Sequence, residues 1–178
     1  MNTIFTCIAL TFSLLSVIVA YYNCAIQRKH NIKSVKPILH IGQWDYENRL
    51  FVTIKNCGTG LAVVNRLYVK HIETQELRNH LYAWLPEKLP ANMNYEKYWT
   101  PFQAFVVQPG EIIDLVKIPI DDKEPNQVIE REKLRSALCK LEVFLEYEDI
   151  YENKMPVKNM VLSHFGRTDN VNKVTVWV

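Results

Sequence analysis

IKNCGTGLAVVNRLYV, residues 54–69, holds a glycine pair between two apolar runs, and its reading decides the fold. A phosphate-binding loop would need a strand, its glycines, and then a helix whose first amides point at the anion. After Gly60 the chain runs LAVVNRLYV before it becomes polar again, a stretch rich in β-branched and aromatic side chains that suits a strand. It contains no Lys-Ser or Lys-Thr pair and no third glycine. The stretch therefore reads as strand, turn, strand. Gly58 and Gly60 are expected to supply positive φ, and Asn56 to bond the turn's backbone.

The same period of two continues outward. Leu50, Val52 and Ile54 alternate with Phe51, Thr53 and Lys55. Cys139, Leu141, Val143, Leu145 and Tyr147 alternate with Lys140, Glu142, Phe144 and Glu146, an apolar face against a largely charged one. Val174, Val176 and Val178 repeat the pattern, and residues 37–42, 63–72, 112–118 and 155–164 are further strand candidates. Only Pro125–Leu138 reads as helix, with proline suited to its first turn. Val128, Ile129, Leu134 and Leu138 give that helix an apolar side and EREK a polar one. Short strands with one short helix predict an all-β domain, a β-sandwich, over residues 37–178. A chain of that length buries a proper core.

Ahead of it lies a segment of another kind. Residues 3–22 carry no charge and are rich in Ile, Leu, Val and Phe. At about 1.5 Å per residue such a run spans the roughly 30 Å hydrocarbon core of a bilayer. Tyr21 and Tyr22 close it, where amphipathic rings favour the headgroup region. A cleaved signal peptide would want a basic residue before the run and small residues after it; MNT and Tyr21-Tyr22 offer neither. Residues 1–22 are read as a transmembrane anchor and 23–36 as a basic juxtamembrane linker holding Arg28, Lys29, Lys33 and Lys36. Those charges predict an N-terminus facing out and a cytoplasmic domain at the inner membrane. Sparse cysteine use (Cys57 and Cys139 in the domain) agrees with that side.

The span also carries a finer pattern. Asn2, Thr6, Ala9, Ser13, Ser16, Ala20 and Asn23 recur at alternating spacings of four and three, which keeps small or polar side chains on one helix face. In lipid, helices associate through close approach at small residues and through interhelical hydrogen bonds. Thr6, Ala9, Ser13, Ser16 and Ala20 are thus the expected packing face, with Phe5, Leu10, Phe12, Leu15 and Val19 towards lipid.

Charge bounds the partners. Without the four basic residues of the anchor region, the domain holds 17 basic against 19 acidic residues, a net of −2. It offers no basic face of the kind nucleic acid requires, so none is expected as a partner. Membrane lipid is expected instead, together with a protein partner or self-association through the span. The aromatic segment 82–105 is the candidate contact. Seven of the chain's 20 aromatic residues lie there, and Trp84, Tyr95, Tyr98, Trp99 and Phe102 are the partner-binding candidates. Such a segment either folds over an open sheet edge to complete the core or presents its rings to a partner.

Catalytic constellations are scarce. The domain's serines are Ser136 and Ser163; Ser163 adjoins His164, but neighbours on a strand point to opposite faces. The histidines at 30, 40, 71, 80 and 164 show no metal-binding spacing, and Cys57 and Cys139 lack a C-x-x-C companion. Glu146, Glu148, Asp149 and Glu152 cluster without the spacing of a calcium loop and read as a hairpin, Tyr147 and Ile150 packing and the acids solvated. No catalytic residue, metal site or cofactor is expected.

Strand, then Asn56-x-Gly58-x-Gly60-x-Ala62, then strand resembles the N-x-G-x-x-A turn of bacterial immunoglobulin-like domains, including the CARDB type. The anchor, this turn and Tyr147-Glu148-Asp149-Ile150-Tyr151 resemble a group of small bacterial single-span proteins. The resemblance covers the anchor and part of the domain, and the long segment between Glu73 and Gln108 departs from a minimal immunoglobulin-like domain. It implies a non-catalytic module and carries over no active-site residue. The expected function is a membrane-anchored binding module, an adaptor, sensor or effector subunit. The alternatives are a ligand-responsive oligomerising effector and a membrane-tethered hydrolase.

Overall fold

A computed structural model describes residues 2–90, 92–100 and 104–167. The chain divides into two units, Met1–Lys36 and Pro37–Val178. The first is one helix, α1 (Asn2–Ser34). Within it, Thr3–Ser34 is long and apolar enough to cross a membrane. The helix does not stop at Tyr22. It runs on through the basic residues to Ser34, so most of the expected linker is helical, and Lys33 in its last turn suits the negative end of the helix dipole. Ser16 Oγ donates to the carbonyl of Phe12 at 2.8 Å, within its own helix.

The second unit is built on two antiparallel sheets. The first holds, in order, β1 (Leu39–Tyr46), β2 (Arg49–Asn56), β7 (Ile112–Pro119) and β5 (Lys97–Tyr98). In the second, β4 (Leu77–Arg78), β3 (Ala62–His71), β8 (Leu141–Glu148) and β9 (Lys158–Val161) lie side by side, and β6 (Phe105–Val107) pairs with the start of β3. Ile41, Leu50, Val52 and Ile54 of the first sheet and Val64, Val69, Val143 and Leu145 of the second belong to one buried core. That is the arrangement of a β-sandwich, mostly β, with an α-helix where the sequence placed one and short 3₁₀ turns besides. The alternation read in β8 is complete: Leu141, Val143, Leu145 and Tyr147 are buried, and the residues between them are not.

Between β7 and β8 lies α2 (Pro125–Leu138), with the bounds expected from sequence. Its buried face is only half the expected one. Leu134, Arg135 and Leu138 are inside, while Val128 and Ile129 are exposed. The residues 155–164 do not form one strand either. β9 is short, and Ser163–Gly166 is a 3₁₀ turn, so Ser163 and His164 are not strand neighbours. Phe165 plugs the core from that turn. The expected closing strand at Val174, Val176 and Val178 lies outside the described residues.

Two side chains join the sheets. Asn56 is fully buried at the end of β2. Its Oδ1 accepts from the amides of Gly58 (2.9 Å) and Ile38 (3.2 Å), and its Nδ2 donates to the carbonyls of Gly60 (2.7 Å) and Val107 (3.0 Å). The turn is therefore held by an amide side chain, as read from sequence, but not by positive φ: the described glycine in that region is Gly110 (φ 79°), on the way into β7. Gln43 of β1 does the equivalent at the other edge. Its Oε1 accepts from the amide of His164 at 3.2 Å, and its Nε2 donates to the carbonyl of Val161 at 3.5 Å.

Candidate functional site

The outward face of β1 and β2 carries an ordered set of side chains. Cross-strand pairs run Tyr46 with Arg49, Trp44 with Phe51, Gly42 with Thr53, and His40 with Lys55. β7 extends the rows, placing Lys117 opposite Phe51 and Asp114 opposite Thr53. The three rings share one orientation. Trp44 and Phe51 have centroids 5.9 Å apart and planes 16° apart, and Tyr46 lies 6.3 Å from Trp44 at 12°. The Arg49 guanidinium lies 5.3 Å from the Tyr46 centroid and 5.6 Å from that of Phe51. A groove of about 380 Å³ is lined by this set.

Gly42 makes the groove possible. A Cβ there would lie 2.7 Å from both Trp44 Nε1 and Thr53 Oγ1, so the indole leans over a backbone that only glycine leaves clear. Sequence reasoning missed this face. The signal was partial: Phe51 falls on the polar side of the β2 alternation, where an aromatic ring is out of place, but its pairing with Trp44 depends on a register that one strand does not reveal.

Of the aromatic residues named from sequence, Trp84, Tyr95, Tyr98 and Trp99 lie elsewhere, around the edge of the first sheet. β5 pairs with β7 there and covers its open side. Trp84, Tyr95 and Trp99 are half-buried against the core, Trp99 meeting Phe105 edge-on at 3.9 Å. Tyr98 remains exposed and stacks on Tyr82 at 4.4 Å. Tyr95 donates its hydroxyl to the carbonyl of Pro86 at 2.6 Å, and burial, with Tyr82 beside it, pushes its phenol up to about 12. Phe102 lies outside the described residues. The structure thus brings Tyr95 and Tyr98 together, 6.0 Å between centroids, and sets Trp84 under the Arg78 guanidinium at 4.3 Å.

No family model, curated protein or solved structure matches this chain.

A second polar centre closes one end of the sandwich. Asp45, pointing inward from β1, meets Arg131 Nη2 at 2.7 Å, Arg135 Nε at 3.2 Å and Arg167 Nη2 at 3.4 Å. Arg135 also pairs with Glu132 at 3.0 Å. Donors outnumber acceptors here, and Arg131 Nε and Arg135 Nη2 meet none among the described residues. The centre pins α2 to β1.

The acidic hairpin after β8 differs from its sequence reading in two ways. Ile150 is exposed rather than packed, and Asp149 is buried rather than solvated. Asp149 Oδ1 accepts from the amides of Tyr151 and Asn153, each at 2.9 Å, and its carboxylate also takes the Asn153 side chain. Burial pushes this carboxyl up, but the Asn153 side chain and the two amides outweigh it and hold it below the ordinary 3.8. A carboxyl lowered by folding stabilises the fold above its unfolded pKa, and that contribution is lost as pH falls. Asp149→Asn should therefore remove part of the acid sensitivity: stability measured by denaturant titration should fall less steeply below about pH 4 than in the unaltered chain. Identical slopes would assign the acid response to other carboxylates. No group of three or more His, Cys, Asp or Glu side chains gathers to hold a metal among the described residues.

Proposed function

We propose that this chain is a membrane-anchored, non-enzymatic binding module, in which α1 tethers an immunoglobulin-like β-sandwich to the cytoplasmic face of an inner membrane. The observation that carries the reading is α1 itself, a helix long and apolar enough to cross a membrane. Such a helix is stable only in lipid or against other helices, because leaving its apolar surface in water costs about 25 cal/mol per Å². Orientation follows from Arg28, Lys29, Lys33 and Lys36 on the domain side of the span. Through its exposed rings, Tyr98 among them, the domain binds a protein partner or a second copy, as an adaptor, sensor or effector subunit. The immunoglobulin-like assignment rests on two antiparallel sheets and the Asn56 turn.

Membranes from cells making the full chain test this. Cys57 is free and exposed. With the other cysteines replaced, a membrane-impermeant maleimide should label Cys57 only after permeabilisation, and the chain should resist alkaline extraction. Labelling of intact cells would reverse the orientation, and release at high pH would remove the anchor. In the same membranes, cross-linking should capture a second protein or a second copy. If the small-residue stripe packs, Ser13→Ile with Ser16→Ile should abolish capture of the copy; unchanged capture would exclude that face.

A further inference from the structure

We infer that the groove on the outer face of β1 and β2 binds a small anion carrying a flat ring, of the nucleoside monophosphate class. The inference deepens the reading of this domain as a binding module and is independent of the anchor. Three properties of the face converge on it.

The first is the ring surface. Trp44 and Phe51, partners across β1 and β2, present near-parallel rings on an exposed sheet face, where their apolar area contributes nothing to the core. A planar heteroaromatic ring gains most from such a surface, since stacking uses its whole π-face and does not depend on hydrogen-bond register.

The second is charge. Asp114, the acid lining the groove, is already paired with Lys97 at 3.4 Å, and Lys117 with Glu96 at 2.6 Å. Arg49 and Lys55 have no carboxylate partner among the described residues. The unbalanced charge of the groove is positive. Arg49 is also held in place: its guanidinium lies over Tyr46 and Phe51, and a stacked guanidinium keeps its N–H edge for an anion.

The third is size and spacing. Successive rows on one face of a strand are about 7 Å apart, and the Arg49 guanidinium reaches back from its own row over Phe51, so a ring over Trp44 sets its anionic group within reach of Arg49. A base joined to phosphate through one sugar has that reach. The volume of about 380 Å³ is that of a small-molecule pocket, and the indole that lines it takes its seat because position 42 is glycine.

Equilibrium dialysis of the full chain in detergent micelles against AMP, GMP, CMP and UMP tests the site, with the four matching nucleosides, inorganic phosphate and a single-stranded deoxyadenylate dodecamer as comparison probes. At least one monophosphate should bind, with the matching nucleoside and phosphate each tenfold weaker or worse. Trp44→Ala and Arg49→Gln should each weaken binding at least tenfold while the melting midpoint stays unchanged, since both side chains lie off the core. Gly42→Ala, which drives the indole from its seat, should weaken binding as well. The proposal is overturned by no monophosphate binding at millimolar concentration, by binding that Trp44→Ala leaves intact, or by a dodecamer binding far more tightly than its monomer, which would make the face a nucleic-acid platform. If the chain still captures a partner in membranes while no monophosphate binds, the groove proposal fails and the binding-module reading stands. If a monophosphate binds and no partner is captured, the reverse holds.

Discussion

Replacing Asp45 with alanine is expected to cost the domain about 3–5 kcal/mol of unfolding free energy, the range for removing one member of a buried ion pair. Its side chain is 1% exposed and that of Arg135 is 5% exposed, so the guanidinium left behind keeps only Glu132 and cannot reach bulk water without moving α2. For a domain of this size the melting midpoint should drop by roughly 10 °C. Asp45→Asn, which keeps an acceptor oxygen and loses the charge, should fall between alanine and the unaltered chain. Arg167→Gln should cost well under 1 kcal/mol, because that side chain is 52% exposed and its pair is screened by solvent. Thermal and denaturant unfolding of the three variants would check the order. Equal effects at Asp45 and Arg167 would mean that the aspartate is hydrated and that α2 is held by Leu134 and Leu138 alone.

Asn56→Ala should be comparably severe, on the order of 3–5 kcal/mol, for a different reason. No charge is lost, but the carbonyls of Gly60 and Val107 lose this partner in a buried site and the amides of Ile38 and Gly58 lose it in a part-buried one. Each unsatisfied group costs about 1–3 kcal/mol, and their shared cavity makes the sum less than additive. Asn56→Asp should be no milder, since it sets a carboxylate oxygen against two carbonyls that need a donor. Hydrogen exchange separates this from general destabilisation. The amides of Ile38 and Gly58 should lose protection before those in the middle of β8. Uniform loss along the chain would deny Asn56 its local role.

Much of this fold was legible because it depends on neighbours in sequence. β8 reads as a strand from Leu141, Val143, Leu145 and Tyr147 alone, and Pro125 with the polar EREK run marks α2 within its observed bounds. Asn56 announced its turn because a short amide ahead of two glycines has few other uses. The illegible parts depend on distant partners. Arg131 and Arg135 count as polar in any periodicity, so sequence alone draws the apolar face of α2 through Val128 and Ile129; only Asp45, 86 residues away from Arg131, turns the arginines inward. The same holds for the groove. Trp44 and Tyr46 share a face by alternation, yet their place beside Phe51 and Arg49 comes from the hairpin register. Asp149 reads as solvated from its acidic neighbours, whereas its burial is decided by the backbone amides that the chain folds back to it.

The position of Asn56 has a mechanical consequence. Chain leaving α1 enters the domain at Pro37 and Ile38, so any tension applied through α1 reaches the sandwich there. Ile38 is gripped on both sides, its amide by Asn56 Oδ1 and its carbonyl by the amide of Cys57 at 2.8 Å. A pull that peels β1 from β2 must break this grip before it reaches the first rung of the ladder, Leu39 against Asn56. Because the same side chain also holds Gly60 and Val107, a load entering at Ile38 passes through Asn56 into both sheets.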